Sequence, residues 1–296
     1  MPKANVNNIH IEYETFGDPS SKPIILISDI VDQMISWDEK FCKKLTNRGF
    51  YVIRFDNRDI GLSTKLEEAG VPDLAKIMKG EDIKVPYTLE DMAADTVGLL
   101  DALNIEKAHI CGHSMGASIA QIIAIRHPSR ALSLISMSGS TGNPDLPMPK
   151  AEILMQLFLK PPPTERNAHI EDSLKRRRIV YGSGFPFDEK RIRRNIIKSL
   201  DRGWSLSGYY RQLAATMVSG NRKPALASVK APTLVIHGPE DSLVLVEGGK
   251  DTAEAIPGSE LLIIDAMGHM IPPEVWSQIF DAITANAEKV LNTEPI

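Results

Sequence analysis

Residues 9–16 (IHIEYETF) alternate apolar and polar side chains with period two, as a strand does when one face meets the core and the other meets water. Gly17-Asp18-Pro19 then turns the chain, so this segment is expected in an edge hairpin. A different pattern follows. Short, predominantly apolar runs at 24–27, 51–55, 108–111, 132–137, 233–236 and 261–264 are the pattern of strands covered on both faces. Between them, longer helical patterns occupy 88–103, 115–126 and 273–291, and Thr88 with Asp91 supplies a helix-start signal. Strands alternating with helices predict βαβ crossovers, hence an α/β fold with a mostly parallel sheet flanked by helices.

The alternation breaks over 139–228. Pro144, Pro147, Pro149 and the run Pro161-Pro162-Pro163 punctuate helical segments there, with no clear strand. A core in two parts, 1–138 and 229–296, interrupted by an inserted helical cap at 139–228, is the expected organisation. Inside the cap, Lys175-Arg176-Arg177-Arg178 reads as the solvated face of an amphipathic helix rather than a phosphate site.

Composition narrows the partners. A chain of 296 residues, 43% of them hydrophobic, has enough apolar material for one large core. The 34 basic and 38 acidic residues leave a net charge of −4, which offers no field to draw in nucleic acid or an anionic membrane. No stretch approaches the roughly 18 apolar residues of a membrane helix, and Met1 to His10 lacks the apolar core of a signal peptide. A soluble cytoplasmic protein is therefore expected. The two cysteines, Cys42 and Cys111, provide neither a disulfide framework nor a zinc site, and no metal or cofactor is expected.

The chemistry gathers around one motif. The run 108–111 leads into Gly112-His113-Ser114-Met115-Gly116 and then into a helix-forming stretch. Strand, G-x-S-x-G and helix in this order set a serine on a strained turn, with small residues two before and two after it so that strand and helix can approach. The plainer role for Ser114 is that of a helix N-cap. As a nucleophile it needs a base to take its proton. His269 stands on a loop after the last apolar run and before the final helix, at the same carboxyl edge of the sheet as Ser114. The other six histidines fall in strands (His109, His237), at a helix end (His127), in the hairpin (His10), in the cap (His169) or in the elbow itself (His113). An acid to orient His269 is expected after the preceding strand, where His237-Gly238-Pro239-Glu240-Asp241 offers Asp241, with Glu240 and Asp265 as rivals at the same edge.

With the segment Arg54-Phe55-Asp56-Asn57-Arg58-Asp59-Ile60-Gly61-Leu62-Ser63 added, the chain resembles the α/β-hydrolase family over nearly its whole length. More narrowly, Phe55 to Thr64 and Glu247-Gly248-Gly249 resemble the aclacinomycin methylesterase-like carboxylesterases. The resemblance implies a hydrolase that cleaves a small carboxylic ester or lactone through an acyl-enzyme: Ser114 as nucleophile, His269 as general base and acid, Asp241 as orienting acid, and no cofactor. It implies an oxyanion hole of two backbone N–H groups, one from Met115 and the other from the loop after 24–27. The family carries His-Gly or Met-Gly in that loop, whereas this chain has Ser28-Asp29-Ile30-Val31-Asp32, and alignment on Gln33 and Trp37 makes Ile30 the second donor.

By the same resemblance Arg58, Asp59 and Gly61 shape the loop after the third strand, and Gln33 and Trp37 border the pocket. Met155 and Trp204, from the apolar residues of the cap, are expected to line it. Asp29 stands where glycine is usual and would oppose a developing oxyanion, unless it faces solvent, pairs with a partner such as Arg58, or is protonated. Ester hydrolysis, opening of acyl-homoserine lactones, C–C bond hydrolysis, cofactor-free perhydrolysis and a ligand-binding receptor on the same fold all stay open. A serine at the elbow excludes the epoxide hydrolases and haloalkane dehalogenases, which resemble this chain but carry aspartate there.

Overall fold

The computed structural model describes residues 2–292. Eight strands, β1 (Lys3–Val6), β2 (Ile9–Phe16), β3 (Lys22–Ile27), β4 (Phe50–Phe55), β5 (Ala108–His113), β6 (Ala131–Met137), β7 (Thr233–His237) and β8 (Glu260–Ile263), form one sheet in the order β1-β2-β4-β3-β5-β6-β7-β8. β3 to β8 run parallel, while β2 is antiparallel to both β1 and β4. The runs are apolar on both faces because successive side chains enter two different cores. Ile25 and Ile27 of β3 join Ile53, Ile110 and Ile119 on one face; Ile24 and Leu26 join Phe41, Ile135 and Phe280 on the other.

The edge hairpin turns at a different place from the one expected. β2 pairs with β1, and Asn7-Asn8 joins them with both φ angles positive, 47° and 64°. Asparagine tolerates that region, which a two-residue turn of the primed type requires. Gly17-Asp18-Pro19 instead carries the chain to β3, and β2's other neighbour is β4.

Between β6 and β7 the described residues form helices and no strand. Helices Arg166–Ile179 and Glu189–Gly203 share a small core of Ile170, Leu174, Tyr181, Ile192 and Ile196. Charge fixes this insertion to the sheet. Arg211 of helix Leu206–Val218 is fully buried and grips Asp59 with two bonds of 2.7 Å, and Arg202 reaches Asp56 at 2.5 Å. The basic run at 175–178 is not a uniformly solvated face. Arg176 bonds Asp172 and two backbone carbonyls, Arg178 bonds Glu189, and Arg177 turns inward to Asp32 at 2.8 Å. Among the described residues no helix is long and apolar enough to cross a membrane.

Because Arg211 and Asp59 have no exposed side-chain surface, removing one partner strands a buried charge. Arg211→Met is expected to lower the unfolding free energy by about 3–5 kcal/mol. Adding Asp59→Asn to it should recover part of that loss. Urea unfolding of the single and double variants checks both expectations.

Candidate active site

The end of β5 and helix Met115–Arg126 meet at van der Waals distance. A Cβ on Gly112 would lie 2.0 Å from the carbonyl oxygen of Gly116, and one on Gly116 would lie 2.2 Å from that of Ile27. Only glycine fits either place. Ser114, between them, is held at φ 55° and ψ −116°, and its side chain caps no backbone N–H of the helix. The N-cap alternative therefore fails, and the strain at Ser114 presents its hydroxyl at the sheet's carboxyl edge instead.

The loops after β7 and β8 converge on the same edge. His269 Nδ1 lies 2.7 Å from Asp241 Oδ2. Asp241 Oδ1 accepts from the N–H groups of Leu243 and Val244, at 2.9 and 2.8 Å, which fixes the carboxylate's orientation. Burial raises the pKa of Asp241, but His269 beside it and hydrogen bonds from His237 and His269 outweigh burial and hold it well below the carboxylate range. Glu240 points elsewhere, accepting from the N–H and hydroxyl of Ser183 in the insertion, and Asp265 is exposed.

His269 Nε2, the nitrogen that faces away from Asp241, is buried with no hydrogen-bond partner. Opposite it stands Asp29, whose Oδ2 is 3.4 Å away. Asp29 Oδ1 accepts from the N–H of Ile30 at 2.5 Å and lies 3.5 Å from the N of Met115. Both N–H groups expected to form an oxyanion hole thus point at one carboxylate oxygen. Of the three outcomes anticipated for Asp29, exposure and protonation are not seen, since its side chain is 14% exposed and its pKa is lowered; pairing with a cation is seen, but the partner is His269, because Arg58 is spent on Asp95 at 2.6 and 2.7 Å. Burial raises that pKa, but the contact with His269, the nearness of His113 and the adjoining Ser114 hydroxyl prevail. His269 responds in the opposite sense. Burial lowers its pKa, but Asp241 and Asp29 on its two sides push it up to about 10.

This edge, with its strained serine and its His–Asp pair on neighbouring loops, has a counterpart among known proteins: residues 22–274 match the family model described as alpha/beta hydrolase fold. The chain belongs to that family. Rhodomycin D methylesterase DauP of Streptomyces sp. (strain C5) is 28% identical over 92% of this chain and 93% of its own length. Rhodomycin D methylesterase DnrP of Streptomyces peucetius is 27% identical, covering 97% and 98% respectively. The crystal structure of an enol-lactonase from Burkholderia xenovorans LB400 superposes with a TM-score of 0.71 at 22% identity, covering 98% of this chain and all of the other.

In this alpha/beta hydrolase two cavities adjoin Asp29. One, of about 100 Å³, is lined by Gln33, Trp37, His113 and Arg177; the other, of about 160 Å³, is lined by Leu157, Phe158, Trp204, Tyr209, Arg177 and His269. Gln33 also donates to the Ser199 carbonyl and accepts from Arg202, which ties the loop after β3 to the insertion. Met155 lines neither cavity and is 58% exposed. It opens a π-helical turn, Met155–Leu159, from which Leu157 and Phe158 line the second cavity.

Two residues escaped the sequence reading. His113 donates from Nε2 to the His269 carbonyl at 2.8 Å and so braces the histidine loop. Arg177 had a signal, since it follows Ile170 and Leu174 at helical spacing on the face that turns inward. Asp29, His113 and His269 also bring one ligand atom each within 4.8 Å of one another, the one such group among the described residues. The contact of a charged imidazole with a carboxylate accounts for that closeness.

A folded-state pKa of about 10 against about 6.5 in the unfolded chain means that His269 contributes its stability fully below pH 6.5, and that the contribution fades as pH rises through 10. The expected outcome is a His269 C2–H signal in NMR that titrates near pH 10. The unfolding free energy should fall between about pH 7 and 10 by more in the native chain than in His269→Gln.

Proposed function

We propose that this protein hydrolyses small carboxylic esters or lactones through a Ser114 acyl-enzyme, with His269 as general base and acid and Asp241 as the group that orients it. The observation that carries the proposal is a strained Ser114 and a His269 bonded to Asp241 at 2.7 Å, both delivered to the same sheet edge. Asp241 holds the proton on Nδ1, which leaves the Nε2 lone pair to take the serine proton. Ser114 Oγ then bonds to the acyl carbon, and the carbonyl oxygen becomes an anion received by the N–H groups of Ile30 and Met115. His269 returns the proton to the leaving alkoxide as the C–O bond breaks. A water, deprotonated by His269, attacks the acyl-enzyme, and the carboxylate product and free Ser114 result.

Similarity to two methylesterases over more than nine-tenths of the chain supports an ester with a small alcohol group. The apolar cavity under residues 139–228 supports substrate choice by that insertion, which acts as a cap.

Ser114→Ala should abolish labelling by a fluorophosphonate probe while the circular-dichroism melt stays unchanged; labelling that survives would refute the role of Ser114. Asp241→Asn should lower kcat by about 10⁴, the cost of a mis-set histidine tautomer in Ser-His-Asp proteases. Glu240→Gln should keep most activity. Trp204→Ala should change the preference among p-nitrophenyl esters of different chain length more than it changes turnover of the acetate, and an equal loss at every length would assign Trp204 to packing alone.

A further inference from the structure

The hole that should receive a substrate oxygen is filled by the chain's own carboxylate. Asp29 Oδ1 takes the N–H of Ile30 at 2.5 Å and lies 3.5 Å from the N of Met115, while Oδ2 lies 3.4 Å from His269 Nε2. The Ser114 hydroxyl adjoins the same carboxylate and helps to hold its pKa down. Two backbone N–H groups, a serine hydroxyl and a histidine around one carboxylate are the environment that the acid product of ester hydrolysis occupies before it leaves. We propose that Asp29 is an internal product mimic: its carboxylate closes the oxyanion hole to acyl groups and pairs with the base, so that ester cleavage requires the side chain to swing out. This role rests on Ser114 being the nucleophile.

Two effects follow from one contact. A negative charge in the hole opposes the oxyanion that forms there. A charged His269 also has no lone pair for the serine proton. The groups around His269 divide as follows: Asp241 after β7 and Asp29 after β3 favour the charged ring, and His113 in the elbow opposes it. Behind Asp241 stands His237 at 3.4 Å; on the side of Asp29 stands the Asp32–Arg177 pair, whose Arg177 also feels the Asp29 charge. Of these acids, Asp29 alone stands where a substrate oxygen must go.

The loop that presents Asp29 is held from the cap side. Val31, a β-branched residue, is kept at φ 58°, and its N–H donates to Gln212 of helix Leu206–Val218 at 2.8 Å. Asp32, next along, is held by Arg177. A shift of the cap therefore releases a strained loop and gives Asp29 a route out of the hole.

Asp29→Asn removes the charge and keeps the shape; Asp29→Gly empties the hole. Both are compared with the native chain and with Ser114→Ala, using p-nitrophenyl acetate from pH 6 to 10, acetate as inhibitor and a fluorophosphonate probe. Both variants should raise kcat/KM at pH 7 by about a hundredfold, the scale of one unit charge about 5 Å from the oxyanion at an effective dielectric near 20. Both should move the acid limb of the profile to lower pH, and acetate, which Asp29 shuts out of the native site, should inhibit Asp29→Gly, whose hole is empty, with a Ki at least about tenfold lower. In Asp29→Asn the His269 C2–H signal should titrate at lower pH, a readout independent of turnover. An unchanged pH profile in the Asn variant, an unchanged acetate Ki in the Gly variant, or a fall in kcat/KM in both variants would overturn the role of Asp29. If Ser114→Ala were still labelled, the nucleophile assignment would fail instead, and the NMR shift would still report whether Asp29 pairs with His269.

Discussion

The site depends on how closely three backbone segments approach. Gly112 and Gly116 let β5 run into its helix with no room for a Cβ, and Gly116 also lies against the carbonyls of Ile27 and Ser28 at the end of β3. The loop after β3 is thereby delivered beside the N–H of Met115. On the other side, a Cβ on Gly238 would sit 2.0 Å from the Met267 carbonyl oxygen, so the loops carrying Asp241 and His269 are pressed together in the same way. Side-chain chemistry is then a consequence of main-chain contact: strands of a parallel sheet end at one edge, and glycines decide how near their loops come.

Charge has a second, separate duty. The segment after β4 carries Asp56, Arg58 and Asp59, paired with Arg202, Asp95 and Arg211. Two of these pairs reach the inserted helices, which have only a small apolar core of their own. Buried pairs give little net stability, because desolvation offsets attraction, but breaking one is costly. They suit the fixing of position, and position is what a cap over a cavity needs.

Much of this was legible beforehand, for identifiable reasons. A strand covered on both faces is predominantly apolar, so β3 to β7 stand out in the chain, and the edge strand β8 stands out through its own Leu261–Ile263 run. The elbow shows through its glycines, and Asp241 and His269 through their places after β7 and β8. β1 did not show, because KANV offers two core-facing positions in four residues, and the Asn7-Asn8 turn that would have located it was outweighed by Gly17-Asp18-Pro19. Met155 stands out only as one apolar residue of the insertion, and composition does not say which side of a helical turn faces the cavity: Leu157 and Phe158 line it and Met155 does not. Arg177 was hidden in a run of like charges, where composition suggests solvent and only helical phase shows the inward face. For Asp29 the position was legible and the direction was not, since which way a loop carboxylate points is decided by partners far apart in sequence: Met115, Ser114 and His269.

That direction bears on energetics as well as on access. Two N–H groups aimed into a buried hole carry a desolvation cost unless something accepts from them. Where glycine stands, a water or the substrate must do so; here Asp29 does it, with His269 as counter-ion. The resting site is thereby made more stable, and none of that stabilisation persists when a substrate oxygen takes the same N–H groups. Catalysis depends on the gap between ground and transition states, so a well-satisfied resting hole widens the gap that acylation must cross. On the proposed role of Asp29, the carboxylate that accepts these N–H groups in the resting site is also the group against which a substrate oxygen would compete.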